Sequence, residues 1–345
     1  MSIQIDGFGA AIALSLSLLW SDGAHARDKP IGILLAAGDI ATCATNENKS
    51  GKATADLIKL QIAKIKVSHP GVEVRVLALG DLAYDRGTAK SFDCFNATWG
   101  QFKDKILPVP GNHDYLTNNG AAFFKYFEST LKGLKADKKS AYYSVEFPTP
   151  SSSADNASWQ ILALNSNTGT GSSTQQVKWL VSELERTKSK RCVLAFSHAF
   201  YYSSGMHGHH DNPNPDSPLR PEKVMRPMFE ALHTHRASLF LAGHDHHYEQ
   251  LGRANAKGQP ADRGQTAMVS DGVRSFVVGT GGKGLYPRDY RNKWTFTEAY
   301  DLSSYGVLRI ELYPNSYRWE FLPTKPNTAS MKIMRDIKTD TCNRP

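Results

Sequence analysis

The chain has 345 residues, 40% hydrophobic and 21% charged, an ordinary globular balance with ample material for a core. Its net charge of +8 comes from scattered basic residues rather than runs, so no nucleic-acid partner is expected; the charge suits anionic substrates such as phosphate, or simply solubility. Residues 8–20 form an apolar run too short to span a bilayer comfortably, and no later segment is long and apolar enough for a membrane helix. The run leads to Ala24-His25-Ala26, the small-x-small form of a signal-peptidase site, although the preceding segment holds Asp6 and no Lys or Arg. Residues 1–26 therefore read as a cleavable signal peptide and 27–345 as one domain, secreted or periplasmic.

Residues 31–37 predict a first central strand ending in Gly38-Asp39. Residues 43–52 read as a polar loop and 54–66 as a helix, with Leu57, Ile58, Ile62 and Ile65 on one face. Residues 72–79 predict a second strand, so the opening is βαβ and implies a parallel pair. Gly80 ends that strand and lets the backbone turn, which leaves Asp81 at the carboxyl edge of the sheet, where open α/β sheets place ligands. Residues 89–105 read as partly helical, with Phe92, Phe95, Trp99 and Phe102 as core. A short strand at 106–109 delivers Gly111-Asn112-His113-Asp114. Further strands are expected at 141–147, 159–164, 191–196, 237–241 and 275–278. A hairpin is expected from 306–312 and 317–322 across Pro314-Asn315. Helices are expected at 174–186 and from Pro221 to about 232, the second kinked by Pro227. With helices alternating in both halves and no internal repeat, two mixed sheets packed face to face between helices, a four-layer α/β/β/α sandwich, fit better than one doubly wound sheet.

Five polar clusters end these apolar runs: Gly38-Asp39, Gly80-Asp81-x-x-Tyr84, Gly111-Asn112-His113-Asp114, Ser197-His198 and Gly243-His244-Asp245-His246. Any one alone is a turn or a surface histidine. Together they supply carboxylates, imidazoles and an amide oxygen, the mixture borderline divalent and trivalent ions prefer, and Asp81 has two oxygens with which to bridge two ions. Gly279 to Gly284 contains a G-x-G-x-x-G match, but Leu285-Tyr286-Pro287 forbids the following helix. It reads as a turn bordering the pocket whose amides could meet substrate. Tyr201 and Tyr202 suit either a substrate entrance or core packing. Asn96-Ala97-Thr98 and Asn156-Ala157-Ser158 match the glycosylation pattern. Four cysteines without a C-x-x-C spacing make a structural zinc site improbable and permit two disulfides in three connectivities. Cys43 and Cys94 both come just after motif-bearing loops, so their pairing would brace the site.

The ordered Gly-Asn-His-Asp and Gly-His-x-His elements resemble the metallophosphoesterase (calcineurin-like) superfamily over nearly all of the chain. Within it, Ala41 stands where an Asp-x-His motif has histidine, and Tyr84 follows Asp81 at the Asp-x-x-Tyr spacing of purple acid phosphatases. In those enzymes the first motif is commonly Asp-x-Gly, for which Ala41 is a small replacement. The resemblance implies one metal site of Asp39, Asp81, Tyr84 and His246, and a second of Asp81, Asn112, His198 and His244. It implies Fe(III) in the first and Zn, Fe or Mn in the second. A hydroxide activated on the metals would attack a phosphate monoester, while His113, oriented by Asp114, and His207 stabilise charge or protonate the leaving group. His210 would stand behind His207. The chain resembles the small, single-domain type. A phosphodiesterase or nucleotide hydrolase would use the same ligands, and a binding protein could keep the fold without turnover; oligomeric state is not legible.

Overall fold

Strand β1 (Gly32–Ala37) is paired along both edges and packed on its faces, so it is buried along its whole length. The computed structural model describes residues 29–43, 47–150, 157–168, 171–187, 192–208, 221–261, 272–286, 293–325 and 337–343. The proposed leader 1–26, the Asn156 sequon, His210 and Pro287 lie outside the described residues. One edge of β1 pairs in parallel with β3 (Glu73–Leu79), as the βαβ reading required, and β3 pairs in parallel with β5 (Ile106–Val109). The other edge meets β13 (Gly306–Leu312), followed by antiparallel β14 (Ser316–Pro323) and β15 (Lys338–Thr341). The turn joining β13 to β14 falls at Pro314-Asn315, where Tyr313 N donates to Ser316 O at 2.9 Å.

Among the described residues the second sheet has seven strands. Its parallel centre is β7 (Trp159–Ala163), β8 (Val193–Phe196), β9 (Leu239–Ala242) and β11 (Val273–Val278). Antiparallel β6 (Tyr143–Phe147) closes one side, and β10 (Tyr248–Ala254) with β12 (Thr297–Asp301) closes the other. Side-chain alternation along these strands makes the layers. Ile161, Leu194, Phe196, Leu239, Leu241, Phe276 and Val278 join one core with Leu34, Ala36, Leu308 and Ile310 of the first sheet. Their neighbours Leu162, Val193, Ala195, Phe240, Ala242 and Val277 pack in a second core on the other face. That core includes helix α3 (Gln175–Arg186) and helix α4 (Pro221–Thr234), which continues through Pro227. Helix α1 (Glu47–Ser68) covers the first sheet through Ala55 and Ile58. Helix α2 (Ala89–Asn96) and the 3-10 turn Trp99–Phe102 bury the expected aromatic stripe.

Three departures from the sequence reading have physical causes. Helix α1 begins at Glu47, inside the stretch expected to be a loop. Its first turns carry no apolar stripe because the contact is backbone on backbone: a Cβ on Gly282 would lie 2.6 Å from Gly51 Cα. Thr54 Oγ1 also donates to Gly281 O at 2.5 Å. Strand β10 escaped notice because it buries polar Glu249 and Gln250, each satisfied by a partner such as Trp319 Nε1 on Gln250 Oε1 at 3.0 Å. Strand β15 is held by its ends rather than by apolar content. Asp340 binds Arg253 and Arg274, and Cys342 is disulfide-bonded to Cys192 with Cα atoms 5.6 Å apart. The other disulfide pairs Cys43 with Cys94 of helix α2, the pairing expected, at a Cα separation of 5.5 Å.

Candidate metal centre

Every cluster flagged in the sequence leaves the carboxyl end of a parallel strand: Asp39 follows β1, Asp81 β3, Asn112 β5, His198 β8 and His244 β9. Strand ends fix where each backbone emerges, and local turns aim the side chains. Asp39, Asp81 and His244 have φ values of 59°, 49° and 73°, a left-handed conformation that costs a residue with a Cβ roughly 1–2 kcal/mol. Hydrogen bonds hold the turns there. Asp39 N donates to Gly80 O and Ile40 N to Asp81 O, both at 3.0 Å, and the short parallel strands β2 (Ala41–Thr42) and β4 (Ala83–Tyr84) continue the pairing. Gly111 must lack a side chain, since a Cβ there would collide with Asp81 Oδ1.

The result is a cup with Asp39, Asp81 and His198 buried on its floor, each offering a ligand atom within 4.8 Å of the others. On one side Tyr84 Oη lies 2.8 Å from Asp39 Oδ1, 2.6 Å from Asp81 Oδ2 and 3.0 Å from His246 Nε2. On the other, Asn112 Oδ1 lies 3.0 Å from both His198 Nε2 and His244 Nδ1, these two nitrogens are 3.1 Å apart, and His198 Nε2 is 3.4 Å from Asp81 Oδ1. Asp81 thus turns one oxygen to each group. Separations of 2.6–3.4 Å are those of donors sharing an ion at about 2.0–2.2 Å.

Proton positions support the same fit. His198 Nδ1 donates to Leu79 O at 3.0 Å and His246 Nδ1 to Gly284 O at 2.8 Å; carbonyls only accept, so Nδ1 is the committed nitrogen in each and Nε2 is the one that faces the cup. Burial, then His198 and His207, keep His244 far below the ordinary histidine range, so it is neutral near pH 7. Three electron-pair donors therefore crowd together with few protons to share, an arrangement a cation relieves. Burial alone would raise the pKa of Asp39, but His246, His198 and the Tyr84 hydroxyl outweigh it and hold the carboxyl low. Burial disfavours protonated His246, and Asp39 overcomes it to raise that pKa. The Tyr84 phenol is driven well above 10 by burial, Asp39 and Asp81, so its deprotonation needs added positive charge. The described side chains fit a pair of hard or borderline cations.

Around the rim, the His113 ring lies 4.5 Å from that of Tyr84, tilted by 48°, and its Nδ1 donates to Asp85 O at 2.6 Å. His207 has its ring 4.8 Å from that of His244 and Nε2 3.3 Å from Tyr286 Oη. The expected role of Asp114 needs correction. It is fully buried and accepts from Gly111 N at 2.9 Å, Leu82 N at 3.0 Å and Ala83 N at 3.1 Å; the Asp85 carbonyl, not Asp114, orients His113. Burial and the charge of Asp81 raise its pKa, against those amides. The Gly279–Gly284 turn borders the cup, but Gly281 N and Lys283 N donate to Gly38 O and Asp39 O, so these amides position the floor rather than meet substrate. Tyr201 and Tyr202 belong to the second core. Sequence reasoning missed Lys283, whose Nζ lies 5.0 Å over the Tyr84 ring and 2.9 Å from Asp85 Oδ1. It also missed Tyr286, stacked 4.2 Å from His246. Both sit in the Gly279–Tyr286 stretch, where the false dinucleotide match drew the attention. Among the described residues, grooves of about 790 and 590 Å³ lie elsewhere. One is lined by exposed lysines near Leu131, the other by Arg253 and Arg274, already paired with acids.

A family model described as calcineurin-like phosphoesterase matches residues 34–248, which include every side chain placed in the cup. Among solved structures, a purple acid phosphatase from yellow lupin seeds is similar at a TM-score of 0.62 and 14% identity, over 90% of this chain and 53% of that one. This chain therefore spans about half the length of the lupin protein. A dimetal phosphatase from Danio rerio gives 0.56 and 15%, over 91% and 99% of the two chains. The inner-membrane-complex anchor GAP50 of Plasmodium gives 0.56 and 14%, over 91% and 89%. Identities this low speak for the fold alone.

Proposed function

We propose, from the premise that this chain belongs to the calcineurin-like phosphoesterase family, that it hydrolyses phosphate monoesters at two metal ions, one of them ferric. The observation that carries the reading is the meeting of Tyr84 Oη with Asp39, Asp81 and His246 at 2.6–3.0 Å. Phenolate and carboxylates suit a hard trivalent ion, while the amide and imidazoles of Asn112, His198 and His244 suit Zn, Fe or Mn. When bound, such ions supply Lewis acidity toward phosphoryl oxygens and toward water. The chain's own residues supply the rest. Asp81 ties the two ligand groups together. His113, with Nδ1 committed to Asp85, turns Nε2 toward the equatorial oxygens of phosphorus. His207 is placed to protonate the leaving oxygen. His113, His207 and Lys283 give the rim three groups able to carry positive charge, which matches a dianionic monoester better than a monoanionic diester. Two disulfides support an oxidising compartment and hence export.

One of the structural neighbours named above is an anchor by name, so turnover has to be measured. The test is elemental analysis, a visible spectrum and parallel assays on p-nitrophenyl phosphate and its bis ester. Two metals including iron, monoester turnover, and a visible tyrosinate-to-iron band bleached in Tyr84→Phe are the expected results. Colourless, active protein with two zinc ions would overturn the iron assignment alone. Preference for the bis ester would make it a diesterase, and protein that binds no metal and turns over neither ester would refute the hydrolase reading.

A further inference from the structure

One short stretch of β10 and the turn before it faces two ways. In the turn, Asp245 N donates to Gly243 O at 2.9 Å and His247 N to Asp245 O at 2.8 Å, and these tight bends send successive side chains in different directions. His244 and His246 face the cup, whereas Asp245 and Glu249 face the loop 203–208, which carries His207. Both carboxylates are fully buried. A buried carboxylate persists where hydrogen bonds offset its lost hydration, so the partners reveal what it holds. Asp245 accepts from Ser203 Oγ at 2.5 Å and from His207 N at 3.0 Å, and Ser203 Oγ in turn accepts from Gly205 N at 2.9 Å. Glu249 accepts from Ser204 N at 2.8 Å, Ser204 Oγ at 2.6 Å and Thr297 Oγ1 at 2.8 Å, with His247 Nε2 at 3.4 Å. Trp294 closes the third side, donating from N to Ser204 Oγ at 3.1 Å and from Nε1 to Ser203 O at 3.2 Å. The loop lies so close that a Cβ on Gly205 would collide with His247 Cε1 and fall 2.6 Å from Asp245 Oδ2. Nearly every polar group in 203–205 is spoken for, and the next fixed amide is that of His207 itself.

We propose that Asp245 and Glu249 are positioning residues that act through His207, fixing its imidazole where it can protonate the departing oxygen of the ester. The inference rests on the monoesterase reading above. In the step, the P–O bond breaks with its electron pair left on the leaving oxygen, which takes the Nε2 proton of the His207 imidazolium. Water supplies hydroxyl to phosphorus, and its other proton returns the imidazole to the charged form. The same short segment thereby ties the ligand positions of His244 and His246 to the position of the proton donor, so both are set by one piece of backbone.

The experiment uses the full chain, metal-loaded, as wild type, Glu249→Gln, Asp245→Asn, His207→Asn and the double variant His207→Asn/Glu249→Gln. Each is assayed on aryl phosphates ranging from phenyl to 2,4-dinitrophenyl. A proton donor matters for phenolate and little for dinitrophenolate. General acids contribute about 10²–10⁴-fold, so Glu249→Gln and Asp245→Asn should lose roughly 10–100-fold in kcat on phenyl phosphate. They should stay within about threefold on the dinitrophenyl ester, with metal content unchanged. The double variant should fall no further than His207→Asn, because the two changes disable one device. Equal losses across all leaving groups, or additive losses in the double variant, would overturn the proposal and leave both acids as scaffold. Ser204→Ala is the milder substitution if Glu249→Gln does not fold. If wild type turns over no ester, the monoesterase reading falls by itself. Amide exchange at Ser204, Gly205 and His207 then decides whether the carboxylates hold the loop: faster exchange confined to those amides in Glu249→Gln supports the hold, and unchanged exchange refutes it.

Discussion

Replacing Asp114 with alanine separates a structural carboxylate from a catalytic one. In the folded chain its two oxygens accept three backbone amides, those of Gly111, Leu82 and Ala83. Alanine leaves all three buried without an acceptor, at about 1–3 kcal/mol each. Water admitted to the vacated space relieves part of this, and removing a carboxyl whose ionisation burial and Asp81 disfavour returns some more. The net loss is about 3 kcal/mol, which for a chain of this size is a fall in Tm of roughly 5–10 °C. Asparagine keeps one acceptor oxygen and should lose about half as much. Leu82 and Ala83 lie between Asp81 and Tyr84, so metal retention should weaken along with stability. The assay is thermal and urea melting with and without bound metal, alongside kcat on the p-nitrophenyl ester. An alanine variant that melts within about 1–2 °C of wild type but has lost kcat would refute the reasoning and restore Asp114 to the chemistry.

Asp81→Asn should release metal from both ligand groups and cost more than about 100-fold in activity, since even residues behind the ligands of metal sites contribute 10–100-fold; elemental analysis beside the assay checks both. Replacing Cys192 and Cys342 by serine opens a link spanning 150 residues and should cost about 2–4 kcal/mol, read as a lower midpoint in urea. The pH dependence of stability has a defined contribution from Asp340. Burial opposes its ionisation, but Arg253 and Arg274 outweigh that and depress its pKa below 3.8. Its stabilisation is therefore present above the unfolded value and lost as pH falls through the folded one. Asp340→Asn should lower Tm near neutrality and leave a shallower decline below about pH 4 than wild type shows; parallel curves across the acid range would count against the ion pairs.

Much of the site was legible because its residues sit at the ends of apolar runs. Leu77-Ala78-Leu79 and Phe240-Leu241-Ala242 announce buried strands, and the residues just beyond a buried strand in such sheets are held at one edge. The order of clusters then brought distant residues to a common cup. Roles were harder to read than places. Asp114 is next to His113 in sequence, but a short helical turn sends the carboxylate inward to amides and the ring outward to Asp85. Asp245 lay within the Gly243–His246 cluster and Glu249 just beyond it, neither with a role, because their meaning depends on Ser203 and Ser204, some 40 residues earlier. Strands β10 and β15 were missed for a related reason: their polar residues are satisfied by partners on other elements, which a periodicity count cannot see. Lys283 was hidden by a glycine pattern with a more familiar interpretation.

The ends of β8 have unlike fastenings. At its start Cys192 is bonded to the residue after β15, in the opposite sheet; at its finish His198 faces Asp81 and Asn112, again from the opposite sheet. The seam between the two halves is thus closed by a covalent stitch at one extremity and by shared donors at the other. A reductant loosens the first and a chelator the second. Stripping ions should therefore loosen the cup alone, while the shared core and the stitched end keep the halves in register, so that reloading begins from halves already aligned.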